Sequence, residues 1–218
     1  MKRIMLVHTV QVMYLTFEKQ LRAALDSEVK IDNMLDTFFA ANANELGYFS
    51  QANTDRLYLT LKSAELSGAD VIAVICSTLT PHVEAMIPLF PTPIVTIDGR
   101  LGKAAIAKGD RIQVLASAQS AVDPTVSMIN RAAAEAGRSV SIEARHNPRA
   151  FASMMSGDLT IHDEELAKMA AEVRDKDVIV FAQGSMAHMA GKVQDVAGVP
   201  VVTAPALCIG HIKELIDG

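Results

Sequence analysis

The chain has no tryptophan, only two cysteines and no block of one charge sign, and each gap removes a class of protein. Two cysteines without a CxxC pair or Cys/His ligand spacing argue against both a disulfide framework and a zinc site. The thiols are therefore expected to stay free in a reducing compartment. The 20 Lys/Arg and 25 Asp/Glu residues are dispersed, for a formal net charge of -5, and no basic cluster interleaved with aromatics offers a nucleic-acid footprint. Apolar runs reach about seven residues against the roughly 20 that cross a bilayer, and the N-terminus lacks a signal-peptide h-region. The expectation is a cytoplasmic protein with no nucleic-acid and no membrane partner. GxxxxGK[ST], GxGxxG after the first strand, HExxH and GxSxG are also missing, so nucleotide-dependent and serine-hydrolase chemistry lose support.

What is present is apolar and repeated. Half of the 218 residues are hydrophobic, enough for a sizeable core in one large domain or two small lobes. Asp70-Val71-Ile72-Ala73-Val74-Ile75-Cys76 returns as Asp177-Val178-Ile179-Val180-Phe181-Ala182-Gln183, and Pro93-Ile94-Val95-Thr96 returns as Pro200-Val201-Val202-Thr203. Arg3-Ile4-Met5-Leu6-Val7 likewise matches Arg111-Ile112-Gln113-Val114-Leu115. One spacing for three strand-like segments indicates a duplicated unit, too long for a solenoid repeat, so each copy can hold its own core. Val/Ile runs alternating with segments of helical period give an α/β class with parallel strands and crossover helices. Strands are expected near 3–8, 29–34, 70–76, 93–97, 111–116, 139–144, 177–182 and 200–203. Helices are expected over Asp55–Ser67, Val122–Ala136 and Asp163–Val173, the last opening on acidic residues. Thr37–Ser50 has no clean period and reads as an irregular segment over a cleft.

In open parallel sheets, ligands sit beyond the carboxyl ends of the strands, where helix N-termini direct free N–H groups outward. The strand ends here carry His8-Thr9, Cys76-Ser77-Thr78, Ala116-Ser117 and Gln183-Gly184-Ser185, side chains that suit a small anion such as a carboxylate. Thr9, Ser77, Thr78 and Ser117 read either as ligand contacts or as N-caps. A thiol at a helix N-terminus has its pKa pulled below about 8.5, so Cys76 is the candidate acid/base, against the plain alternative of a small buried hydrophobe. Cys208, within Pro205-Ala206-Leu207-Cys208-Ile209, reads as core in a final apolar helix.

Val74-Ile75-Cys76-Ser77-Thr78, the copy Phe181-Ala182-Gln183-Gly184-Ser185-Met186-Ala187, and Gly157-Asp158-Leu159-Thr160-Ile161-His162-Asp163 together resemble the aspartate/glutamate/hydantoin racemase superfamily, over nearly the whole chain. The resemblance implies two pseudo-symmetric α/β lobes, 1–98 and 99–204, with the C-terminal helix 205–218 packing back on the first lobe and the active site in the cleft between the lobes. It implies an isomerase without cofactor or metal, moving the proton alpha to a carboxylate or carbonyl of a small amino-acid-like substrate, and a homodimer. In two-base members each lobe supplies a cysteine. Here Cys76 matches the first and Gln183 stands at the second, and an amide has no proton to exchange near neutral pH. That leaves Cys76 as a lone acid/base, as in one-thiol lyases of the superfamily, or a cleft that only binds a small acid. Gln183, Gly184 and Ser185 then read as hydrogen-bond donors to the substrate, or Gln183 as a cap of its own helix. His8, at the first strand end, is either a partner of the thiol or an ordinary hydrogen-bonded histidine; His162, ahead of a helix, is the other candidate acid/base. His188, His82, His146 and His211 have no supporting context, and Met154, Met155, Met186 and Met189 read as apolar filler.

Overall fold

The computed structural model describes residues 1–218, the side chain of Asn44 excepted. The chain divides into two compact units, Met1–Gly99 with Pro205–Gly218, and Arg100–Ala204. Unit 1 runs β1 (Arg3–His8), α1 (Gln11–Ala24), β2 (Lys30–Leu35), α2 (Phe38–Leu46), α3 (Gln51–Leu66), β3 (Val71–Ile75), α4 (Thr80–Met86) and β4 (Ile94–Thr96). Unit 2 runs α5 (Leu101–Ile106), β5 (Arg111–Ala116), α6 (Val122–Glu135), β6 (Ser141–His146), α7 (Pro148–Met155), α8 (Leu159–Ala171), β7 (Val178–Phe181), α9 (Ala190–Ala197) and β8 (Val201–Val202). Then α10 (Ala204–Asp217) closes the chain. Both sheets are parallel, ordered β2-β1-β3-β4 and β6-β5-β7-β8, so the two copies share one topology.

The residues flanking the repeated runs make the same bonds twice. Asp70 accepts from the Arg3 backbone N–H at 2.7 Å, and Asp177 accepts from that of Arg111 at 2.8 Å. The Ile72 N–H donates to the Pro93 carbonyl at 3.0 Å, and the Ile179 N–H to that of Pro200 at 2.9 Å. Each Asp tacks the start of a third strand to the first, while each Pro, lacking its own N–H, still supplies the acceptor that opens the edge strand. Burial follows from the central strands being covered on both faces: every residue of β3 and of β7 is buried, so neither shows a period of two.

In unit 1, Met5, Val7, Ile72, Val74 and Cys76 share one face of the sheet with Leu57 and Leu61 of α3 and Val83 of α4. In unit 2, Leu115, Ile179 and Phe181 meet Leu166 and Met169 of α8 and Val193 of α9. Lys2 donates to the Ile216 carbonyl at 2.8 Å and Lys213 pairs with Asp26 at 2.8 Å, tying α10 to the rest of unit 1. Cys208 lies in α10, buried. Among the described residues, no helix is long and apolar enough to cross a membrane.

Three expectations are corrected. Thr37–Ser50 is not irregular, because α2 occupies most of it, ending at Gly47 in the left-handed region (φ 74°) with its N–H on the Ala43 carbonyl. Among the described side chains of α2, only Phe39 and Ala43 are buried, one turn apart, a stripe too short to register as a period. α8 opens at Leu159 rather than Asp163, because Asp158 caps it by accepting from the Thr160 N–H at 2.8 Å. His162 is therefore within that helix, not ahead of it. β6 spans 141–146 rather than 139–144, following the left-handed turn at Gly137.

Candidate active site

β1 and β3 run in register, with His8 opposite Ile75. One residue further the chain presents Thr9 and Cys76, and because side chains alternate along a strand these two share a face while His8 points to the other. Cys76 keeps extended dihedrals (φ -156°, ψ 115°), then Ser77–Leu79 turns as a 3-10 segment that leads into α4. The backbone N–H groups of Thr78 and Leu79 and the Thr9 hydroxyl therefore surround the sulfur. Thr9 Oγ1 is buried with no well-aligned partner, close enough to the sulfur to favour a thiolate without completing a bond to it.

The helix N-terminus does not dominate at Cys76. Burial pushes the Cys76 thiol above its ordinary pKa, and the lowering by Thr9, Leu79 and Thr78 is smaller. Cys76 is buried, 8% exposed, and belongs to the unit 1 apolar cluster. At neutral pH the resting group is a thiol, already surrounded by the donors that a thiolate needs.

A residue absent from the sequence argument completes this rim. Asp98, just beyond β4, is fully buried; its carboxylate accepts from the Thr80 hydroxyl and from Ser77. Its other oxygen, Oδ2, has no partner, and burial pushes its pKa up to about 6. Its negative charge in turn works against ionisation of Cys76. The signal available in the sequence is an acid directly following the run Pro93–Ile97, at a strand end like the four named above.

His8 does not pair with the thiol. Its Nε2 lies 2.9 Å from Asn33 Oδ1, and Asn33 in turn donates to Glu18. The Asn33 oxygen can only accept, so Nε2 carries the proton; Nδ1 is left buried with no partner. Burial lowers the His8 pKa, with the Asn33 bond opposing, so the ring is neutral at pH 7.

The equivalent rim of unit 2 repeats the geometry with different chemistry. Leu115 pairs with Phe181, which places Ser117 beside Gln183 as Thr9 is placed beside Cys76. Gln183 Oε1 accepts from the Ser117 N–H at 2.7 Å and the Ala118 N–H at 3.1 Å, and its Nε2 donates to Ser117 Oγ at 2.9 Å. The amide thus holds the loop after β5, and it does not cap its own helix. Gly184 and Ser185 lie in the following 3-10 segment, Gly184–Met189, both half-buried. His162 is fully buried, its Nδ1 2.8 Å from Asp163 Oδ1, while His188 Nε2 reaches the same oxygen at 2.7 Å. Burial opposes the Asp163 charge, but these two bonds outweigh it and hold its pKa low.

Comparison with known proteins agrees with this architecture. The model of the Asp/Glu/Hydantoin racemase family matches residues 4–211. Among solved structures, the chain is similar to aspartate racemase from Picrophilus torridus (TM-score 0.73, 14% identity, 99% of this chain and 94% of that one). It is also similar to allantoin racemase from Pseudomonas fluorescens (0.64, 18%, 99% and 91%). Glutamate racemase from Francisella tularensis gives 0.76 at 11% identity, over 99% of this chain and 81% of that one. At these identities the likeness is one of fold. No curated protein matches the sequence.

Proposed function

The chain belongs to the Asp/Glu/Hydantoin racemase family, a family of isomerases, and from that premise we propose that Cys76 transfers the proton at the carbon alpha to a carboxylate or carbonyl of a small amino-acid-like substrate. The observation that carries the reading is the ring of donors around one sulfur: Thr9, and the N–H groups of Thr78 and Leu79. A hydrogen bond to a charged acceptor contributes about 1.5–3 kcal/mol, more than one to a neutral thiol, and that difference between the two protonation states is the asymmetry that proton-transfer catalysis requires. Because burial keeps the free thiol neutral, the cycle starts when the thiol gives its proton to water; the thiolate then removes the alpha proton of the substrate to leave an enolate, and the thiol so re-formed, its proton exchanged with solvent, returns a proton to that carbon. Ionised Asp98 favours the neutral thiol and so acts as a positioning residue, set through Ser77 and Thr80. The reading assigns the proton transfer to side chains alone, and it gives the substrate carboxylate to the half-buried Thr78 and to Gly184 and Ser185 of the second rim. Two-fold pairs are the commonest assemblies, and a homodimer is the state assigned here.

The second proton is assigned to water rather than to a histidine. His8 faces the other side of its sheet and is bound to Asn33; His162 has one nitrogen on Asp163 and the other sealed without a partner. A positioned general acid or base contributes about 10²–10⁴-fold, so its lack on one face slows inversion relative to exchange by about that factor. Candidate amino acids incubated with the protein in deuterated water will therefore exchange the alpha hydrogen at least about 100-fold faster than they racemise. Equal rates would overturn the one-thiol reading. The neutral resting thiol also suits a lyase that protonates the enolate left by decarboxylation, and release of carbon dioxide from a malonate-type acid, with no exchange into amino acids, would select that reading instead.

A further inference from the structure

We propose that unit 2 holds a divalent-cation site of the zinc-binding class, formed by His162, Asp163 and His188. One ligand atom from each of the three lies within 4.8 Å of the others. His162 Nδ1 and His188 Nε2 converge on a single carboxylate oxygen, Asp163 Oδ1, at 2.8 and 2.7 Å. The two rings are stacked, with centroids 5.6 Å apart and planes inclined by 24°, which holds both imidazoles on the same side as the Asp163 carboxylate. Two imidazoles and a carboxylate are a donor set that zinc and its neighbours take in four-coordinate sites with one position open to water.

The surroundings fit such an ion beyond the three ligands. His188 Nδ1 lies 3.0 Å from the Ser185 carbonyl oxygen, an atom that can only accept, so that nitrogen carries a proton; Nε2, which faces the Asp163 carboxylate, is the nitrogen left for an ion, which would displace the proton that Nε2 donates to Asp163. This outer hydrogen bond from a ligating histidine to a backbone carbonyl is the usual arrangement around bound metals. The His162 side chain is fully buried, whereas Asp163 and His188 are 29% and 40% exposed, which gives the ion a rigid anchor, a route in and room for water. His162 and Asp163 sit in the first turns of α8, and His188 in the 3-10 segment before α9, so an ion there would clamp two elements of one unit. The buried Nε2 of His162 has no acceptor for the proton it would carry in the ligated ring, which limits affinity. No local ligand motif announces the site, because His188 is brought to the pair by the fold.

The inference goes beyond the proton-transfer reading and does not depend on it. The test is titration of the metal-free full chain with Co²⁺, followed by visible absorption, with Zn²⁺ as competitor. Saturation at about one equivalent, with the intense band of four- or five-coordinate cobalt and its loss on adding zinc, is expected. His188→Ala and Asp163→Asn will each weaken binding by about 100-fold or more, while His146→Ala, at an exposed end of β6, leaves it unchanged. His188 is partly exposed, so its variant keeps the fold, and circular dichroism checks that. Absence of the band, or an identical titration in His188→Ala, overturns the proposal. Neither outcome bears on exchange at the alpha carbon, which reads Cys76 alone.

Discussion

Replacing Asp98 with Asn removes a carboxyl whose pKa in the folded protein is about 6, against 3.8 for the free side chain. Between those values the unfolded chain has released its proton and the folded protein has not, so stability falls as pH rises through the window and is fully retained below it. About two units at 1.36 kcal/mol each amount to about 3 kcal/mol, which the Asn variant does not lose. Other carboxylates run the other way: Glu165, held low by Lys168 and Asn147, loses its contribution as pH falls. They are common to both proteins, so the quantity to measure is the variant-minus-wild-type difference in urea unfolding free energy at about pH 4 and about pH 7.5. The variant gains about 2–3 kcal/mol on the wild type across that range, the first part of the effect lying below about pH 4. A difference that stays flat to within about 0.5 kcal/mol would refute the assignment of Asp98 as a buried, strained acid. The same substitution lowers the Cys76 thiol pKa, because the Asp98 charge opposes the thiolate, and its effect is the weakest of those acting on the sulfur. Alkylation rate against pH in a Cys208→Ala background reads that shift, and Thr9→Val moves it the opposite way.

Gln183→Ala removes an acceptor shared by two backbone N–H groups and a donor to Ser117, and costs about 2–4 kcal/mol in denaturant unfolding; Gln183→Glu, which keeps the acceptor, costs less than half of that. Phe39→Ala, at a fully buried ring that stacks on Phe49, costs about 3–5 kcal/mol and raises amide exchange across α2. Gly47→Ala, at φ 74°, costs about 1 kcal/mol in the same measurement, since only glycine holds that conformation freely.

The strands were legible because burial on both faces leaves an uninterrupted Val/Ile run, as in Val71–Ile75 and Val178–Phe181. The duplication was legible because Asp70, Asp177, Pro93 and Pro200 make hydrogen bonds that any copy of the unit needs. Local pattern failed where the deciding contact was distant. The fate of the Gln183 amide is set by Ser117, 66 residues away, and nothing near Gln183 encodes it. His8 was placed at the correct strand end, but the face it takes depends on the register with Ile75, and a shift of one residue would have put it beside the sulfur. The direction of the Cys76 shift required weighing burial against three donors, a comparison that only coordinates permit. Asp98 carries no local signal, because a single acid after a short run looks like a turn residue, whereas here it is fully buried.

The central claim is that one sulfur moves the proton, and its most direct test is deuterium incorporation at the alpha carbon by wild type and by Cys76→Ala, followed by mass spectrometry over a panel of small amino acids. The account predicts incorporation by the wild type with at least one of them and a loss of about 10³-fold or more in the variant, which keeps every other group of the rim. Incorporation that persists undiminished in Cys76→Ala would contradict it.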